Sequence, residues 1–413
     1  MVSLFSFLED FTVVEKEKNQ QAVKKTSEDK KLSLLSKLLM NLSRRTMEKL
    51  CFADQIRFNG ISKRWLYLDK NRKAPSGSLP CFASVEKLQN GNLQCQFYES
   101  SDFNPFSVDK IDLGRFCIVA DSLYCTCKFG WLFLSMINWC STTSTSFLLY
   151  SSLTKDIIKL PTFVHSKSHQ YSRFVSAFSS DPSLPDCVFL ILHYDVDIDN
   201  RITISTCCQG DKEWTSREYD RGDINYMCFG STPVYLGGSF YFVSSVGEVA
   251  SYNVALGEWK AVRNLLNGIT HCNTGYEAFE LNGELGLVYF YDDELNGGYD
   301  DCEKLGYVRI FDQADKIWVR LESLGHQALY VSSNTFSISA VGEEARKNGV
   351  LPGKVYRTDR SGCVSVHSLV KGDLFKFSPC PGSRNREEVV DGKLGFWVEP
   401  RYQLQTESRY KKW

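Results

Sequence analysis

Long apolar runs are missing from this chain of 413 residues, and none approaches the ~20 residues that a membrane-spanning helix needs. The opening stretch MVSLFSFLEDF has no positively charged segment, and Glu9 and Asp10 interrupt it, so neither an export nor a transit peptide is expected. An excess of charge of one sign is also lacking. There are 48 Lys and Arg against 49 Asp and Glu, a net charge of -1, and no concentrated basic face of the kind that phosphate backbones require. Nucleic acid and membrane are therefore not expected partners. Phosphate-cradling glycine motifs, a G-x-S-x-G elbow and a catalytic-cysteine context are absent as well, which argues against a nucleotide enzyme or an acyl-transfer enzyme. An enzyme site built of converging carboxylates or histidines would leave a cluster of them, and none is visible in the sequence.

Cysteine is plentiful, at 15, but its spacing excludes most cysteine chemistry. Cys125, Cys127 and Cys140, with His165 and His169, offer soft ligands, yet no pair has the C-x-x-C form and no second pair stands at zinc-module distance. Cys207 and Cys208 would face opposite sides of a strand. The expectation is reduced thiols serving as small buried hydrophobes in the cytoplasm and/or nucleus, with no metal and no cofactor. The acidic run YDDELNGGYDD at Tyr291 to Asp301 lacks the ligand order of a calcium loop and is expected to be a solvated connection. Arg221-Gly222-Asp223 reads as a turn, and Asn41-Leu42-Ser43 as an unmodified glycosylation triplet. His326 and His367 lie in apolar, strand-like surroundings and are expected to be structural.

What is present divides the chain. Residues 1–31 are expected to form a flexible tail, of which 14–31 mix both charges with almost no apolar content. Residues 32–69 carry helical periodicity: Leu35, Leu38, Leu39 and Leu42 share one face, Met47 and Leu50 follow, and Phe58, Ile61, Trp65 and Leu68 repeat the spacing. Residues 70–80 are a linker rich in Pro, Gly and Ser. From 81 to 400 the period changes to short β-type runs separated by turn residues, and 401–413 form a tail. Aromatic residues make up 13%, which favours β structure.

One hairpin layout recurs in the β region. It is seen in FLLYSSLTKDIIKLP at Phe147, EVASYNVALGEWKAV at Glu248, VRIFDQADKIWVRL at Val308 and VYRTDRSGCVSVHSL at Val355. Weaker copies stand at Cys95 (CQFYESSDFNPFSVDKIDL) and Ile202 (ITISTCCQGDKEWTSR). The layout predicts a mainly β chain: a C-terminal six- or seven-bladed β-propeller preceded by a small all-α module, with two sandwich domains as the other arrangement. Phe129 to Leu134 and Gly237 to Phe242 are inner-strand candidates, glycine ahead of an apolar run suiting a strand packed close to the central axis, where backbones approach. Pairing of Leu394–Glu399 with Cys81–Val85 would close the ring.

Two resemblances follow from these residues. Phe52-Ala53-Asp54-Gln55-Ile56-Arg57-Phe58, running into Ile61-Ser62-Lys63-Arg64-Trp65, resembles an F-box, the helical module that docks a Skp-type adaptor of cullin ubiquitin ligases. At its front, Leu38-Leu39 stands where the family has Leu-Pro. The order F-box, GWLFL, a hairpin ending KLP, then VRIFDQADKIWVRLESLGHQALYVSSNTFSISA resembles plant F-box proteins bearing a KIB-type, kelch-like propeller. The resemblance implies a non-catalytic substrate receptor in an SCF-type ligase, with a Skp-type adaptor, the cullin core and an unknown target protein as partners. It assigns adaptor docking to Leu38, Leu42, Met47, Leu50, Phe52, Ile56, Phe58, Ile61 and Trp65. The alternative is a propeller scaffold with a degenerate F-box acting outside ubiquitination.

Overall fold

Each described strand alternates its side chains between two faces, and in most strands both faces are buried, so the sheets must be sandwiched between neighbours. The computed structural model describes residues between Pro80 and Glu399, its longest breaks being 112–121, 263–274, 292–303 and 378–393. Residues 1–79, on which the expected tail, helical module, nine expected docking residues and linker fall, lie outside the described residues.

The strands form six sheets. The first holds β1 (Cys81–Lys87), β2 (Leu93–Tyr98) and β3 (Pro105–Ile111). The second holds β4 (Ser122–Lys128), β5 (Trp131–Asn138), β6 (Ser144–Ser151), β7 (Ile157–Lys159) and the short β8 (Phe163–Val164), which pairs with β6. The third comprises β9 (Ser172–Phe178), β10 (Val188–Asp195), β11 (Arg201–Cys208) and β12 (Thr215–Asp220). The fourth is β13 (Val234–Leu236), β14 (Ser239–Val243), β15 (Val249–Asn253) and β16 (Glu258–Val262), and the fifth β17 (Gly275–Leu281), β18 (Glu284–Tyr291), β19 (Lys304–Asp312) and β20 (Ile317–Arg320). The sixth takes β21 (Gln327–Val331), β22 (Phe336–Ser339), β23 (Lys354–Thr358), β24 (Val364–Ser368) and β25 (Phe375–Phe377). The last strand, β26 (Leu394–Val398), returns to the first sheet and pairs antiparallel with β1, Cys81 opposite Val398 and Val85 opposite Leu394. That is the ring closure expected from the two ends of the β region.

The molecule is thus a six-bladed propeller, and its core is six slabs rather than one. Each hydrophobic cluster joins two successive blades: Leu132 and Leu134 of β5 face the first blade, while Trp131 and Phe133 of the same strand face the third. A strand buried on both sides needs apolar residues at every position, which is why β5 reads WLFL and β10 reads VFLIL. All six hairpins singled out in the sequence are the third and fourth strands of a blade, counting outward from the axis: β2–β3, β6–β7, β11–β12, β15–β16, β19–β20 and β23–β24.

The two inner-strand candidates lie in the inner half of their blades. Phe129 to Leu134 and Gly237 to Phe242 contribute β5 and β14, the second strands of their blades, behind β4 and β13. Gly237 and Gly238 make the intervening turn at φ 55° and 85°, and a Cβ on either would meet nothing within 4 Å. They are needed for a left-handed turn, not for close approach. Blade six departs from the simple meander, because β21 pairs parallel with β23 where the other strand pairings are antiparallel. Its innermost strand, β22, therefore runs against the direction of the other innermost strands.

Candidate functional site at the propeller axis

The reversal of β22 brings its N-terminal residues to the end of the axis where β4 and β26 finish. A cavity of about 60 Å³ lies there, lined by residues from five blades, among them Lys128, Thr232, Glu280, Asn334, Thr335 and Glu399. Lys128 is the last residue of β4, Glu280 lies near the end of β17, and Glu399 directly follows β26. The sequence offered no sign of this cluster. Its members run from residue 128 to residue 399, and each alone reads as an ordinary surface residue.

Glu399 is 9% exposed, and its Oε2 accepts a hydrogen bond of 3.1 Å from the backbone N–H of Phe129, a residue held at φ 54° in the β4–β5 turn. The residue that follows the closing strand is thereby tied to blade two. Burial pushes the Glu399 carboxyl up to about 7, against the opposing pull of Lys128 and of the Phe129 N–H. Burial also pushes the Lys128 ammonium below its ordinary range, with Glu399 and Glu280 acting in the other direction. Lys128 Nζ sits 5.0 Å from the centre of the Phe129 ring and, among the described residues, makes no ion pair. Thr335 is 6% exposed, and its Oγ1 has no hydrogen-bond partner. The Glu280 carboxylate accepts from Gly283 N at 3.0 Å, while its carbonyl accepts from Ser337 Oγ at 3.3 Å. The Asn334 Nδ2 donates to the carbonyl of Cys127, joining blades six and two across the end of β26.

A second buried carboxyl lies between blades five and six. Burial pushes Glu277 up to about 8, partly offset by Arg357, whose guanidinium lies 4.0 Å from the Phe290 ring centre. His367, nearby, is buried and shares a 2.9 Å hydrogen bond with Ser365 Oγ, a structural role as expected. His326 is not in an apolar strand: it is exposed in the turn before β21, and only its backbone carbonyl is engaged, by Ala340 N. Cys207 is buried in the slab between blades two and three, whereas Cys208 is partly exposed, on the opposite face of β11. Burial pushes both the Cys187 and Cys207 thiols up, away from thiolate chemistry. Gly222 is in a turn, its N–H bonded to Asp220 Oδ1 at 2.8 Å. The acidic stretch beyond Tyr291 lies outside the described residues.

The blades are also stitched from outside the axis. Trp214, Trp259 and Trp318, at or just before the fourth strands of blades three, four and five, donate their indole N–H to backbone carbonyls near the preceding blade: Pro161 at 2.7 Å, Arg221 at 3.5 Å and Gly247 at 2.8 Å. Trp131 reaches forward to Asp181 Oδ1 at 3.1 Å. Between blades one and two, Asp109 Oδ2 accepts from Tyr150 Oη at 2.9 Å and pairs with Lys155 at 2.5 Å.

Closed six-bladed rings with polar groups gathered at the axis define a class, the β-propellers, whose scaffold is rigid and whose loops are free to vary. Within that class the chain belongs to the family described as KIB1-4 beta-propeller, whose model matches residues 97–378. F-box protein At4g00893 of Arabidopsis thaliana is 25% identical over 215 residues, which is 52% of this chain and 49% of that protein. The chain thus matches about half the length of this relative. Among solved structures, Aleuria aurantia lectin, a six-bladed propeller, is 10% identical, covering 81% of this chain and 100% of that one at a TM-score of 0.33. A candidate 6-phosphogluconolactonase of Bacteroides uniformis is 11% identical, covering 77% and 99%, at a TM-score of 0.36.

Proposed function

We propose that the protein is the substrate-recognition subunit of an SCF-type cullin ubiquitin ligase, docking a Skp-type adaptor through residues 32–69 and holding a target protein on the propeller. The observation that carries this reading is a conjunction. The ordered set Asp54, Ile56, Phe58, Ile61 and Trp65 stands upstream of a KIB1-4 propeller, in a chain that resembles an Arabidopsis F-box protein. The propeller's physics supports it too: a ring whose strands are buried on both faces offers stiff ends on which loops can vary without disturbing the core. The chain itself performs no bond chemistry in this reading. It raises the local concentration of target beside the ligase, in the cytoplasm and/or nucleus.

Co-purification of the full chain with a Skp-type adaptor tests the proposal. Wild type is expected to retain the adaptor, and Ile61→Asp and Trp65→Ala to lose it. Failure of wild type to bind, or equal binding by both variants, would leave the scaffold reading in its place.

A further inference from the structure

The axial cavity holds an ammonium and a carboxyl group that do not pair with each other. Lys128 and Glu399 line the same space, each is desolvated, and each influences the other's ionisation, yet they stay beyond ion-pair distance. Neither desolvated group is neutralised by the other, and a ligand bringing the opposite charge to each would offset part of that desolvation. Thr335 adds an independent sign. Its hydroxyl is buried, lines the cavity and has no partner, and a buried hydroxyl left so loses the hydrogen bonds it would make in water.

Charge narrows the occupant. A simple anion would suit Lys128 but would face both Glu399 and Glu280. A simple cation would suit the carboxylates but would face Lys128. A molecule carrying both charges a few bonds apart meets each group with its complement. Size fits too: about 60 Å³ suits a few waters or one small organic group. We propose that the axial cavity is a binding site for a small zwitterion of the amino-acid class, its carboxylate on Lys128 Nζ and Thr335 Oγ1 and its ammonium on Glu399. The occupant bridges β4, β22 and β26, so its binding consolidates the ring where the chain closes. This site is independent of adaptor docking and goes beyond the ligase reading.

Thermal unfolding and titration calorimetry on the full chain test it, with glycine and β-alanine as the zwitterions and acetate and methylammonium as single-charge controls. Saturable stabilisation by a zwitterion, with little from either control, is the expected result. Lys128→Met should weaken zwitterion binding about 10- to 100-fold, the loss of a charged hydrogen bond. Thr335→Val, which preserves shape and serves should the lysine variant not fold, should weaken it about 2- to 10-fold. No saturable binding of either zwitterion at millimolar concentration would overturn the proposal. So would binding of acetate or methylammonium as tight as that of the zwitterions, or zwitterion affinity unchanged in both variants.

Discussion

The joints between blades two and five and the seam between blades six and one solve the same problem differently. In the former, tryptophans near the blade edges reach across to the neighbouring blade, three of them to backbone carbonyls, and the same device repeats because the hairpin that carries it repeats. The seam lacks that device among the described residues: the fourth strand of blade one, β3, reads PFSVDKI. It relies instead on a strand brought from the far end of the chain. Trp397 of β26 packs edge-on against Phe82 at 5.7 Å and Tyr330 at 4.9 Å, and Tyr330 stacks on Tyr356 at 4.8 Å and Phe336 at 5.5 Å. Backbone pairing of β26 with β1 completes it, and the Glu399 tie to Phe129 and the Asn334 tie to Cys127 carry the link on to blade two. Repetition thus holds blades two to five, while the seam is held by a dense set of contacts used once.

The largest expected effect follows from that concentration. Trp397 is 1% exposed, and Trp397→Ala empties the centre of the aromatic cluster, at about 3–5 kcal/mol. Opening the ring also bares the edge of β1, so aggregation should accompany the loss. Urea unfolding compares this variant with Trp259→Ala, whose indole is only partly buried and whose hydrogen bond is long at 3.5 Å. Equal losses would mean that the seam is no different from any other joint.

Next in size is a pH effect beside the closing strand. The Glu399 carboxyl, raised from 4.5 to about 7, binds its proton more tightly folded than unfolded. Its contribution therefore favours the folded state most below pH 4.5, declines as pH rises through the window up to about 7, and is flat above it. The span is on the order of 3 kcal/mol. Glu399→Gln keeps an acceptor for the Phe129 N–H and should flatten this part of the stability profile. Glu277, raised to about 8 in a different interface, should leave a residual slope of the same sign. Identical wild-type and Glu399→Gln profiles would remove Glu399 from the account.

The repeated stitches should cost less one by one. Trp318→Phe retains most of the packing on Phe311, at 5.1 Å between ring centres, but leaves the Gly247 carbonyl without its indole donor, for about 1–2 kcal/mol. If measured unfolding shows no loss, the indole hydrogen bonds are incidental to the joints.

The same contrast explains what could be read beforehand. The hairpins were legible because their outer strands alternate and their turns carry polar and glycine residues, as in Asn253 to Gly257 between β15 and β16. Closure was legible because the two ends of the β region each offered a strand without an obvious neighbour. The inner-strand candidates were legible because a second strand buried on both faces, such as WLFL, reads as interior, whereas the strand in front of it can be as short as β13. The reversal of β22 left no trace, since QALYV and FSIS read as an ordinary hairpin. Nor was the axial site visible, because Lys128, Thr335 and Glu399 meet only after the ring has closed.

The smallest effect decides between two reasons for a glycine. Were Gly238 needed for close approach at the axis, any side chain would collide, and the loss would match overpacking, about 1–3 kcal/mol and often more. A Cβ there meets nothing within 4 Å, so only the backbone angle of 85° resists substitution. Gly238→Ala should then lose about 1–2 kcal/mol, the penalty of a left-handed conformation. Gly238→Asn should lose less, although its side chain is larger, because asparagine tolerates that region. The crowding account predicts the opposite order. Thermal unfolding of the two variants therefore reads out whether blade four begins with a conformational turn or a packing constraint, and the geometry requires alanine to be the worse of the two.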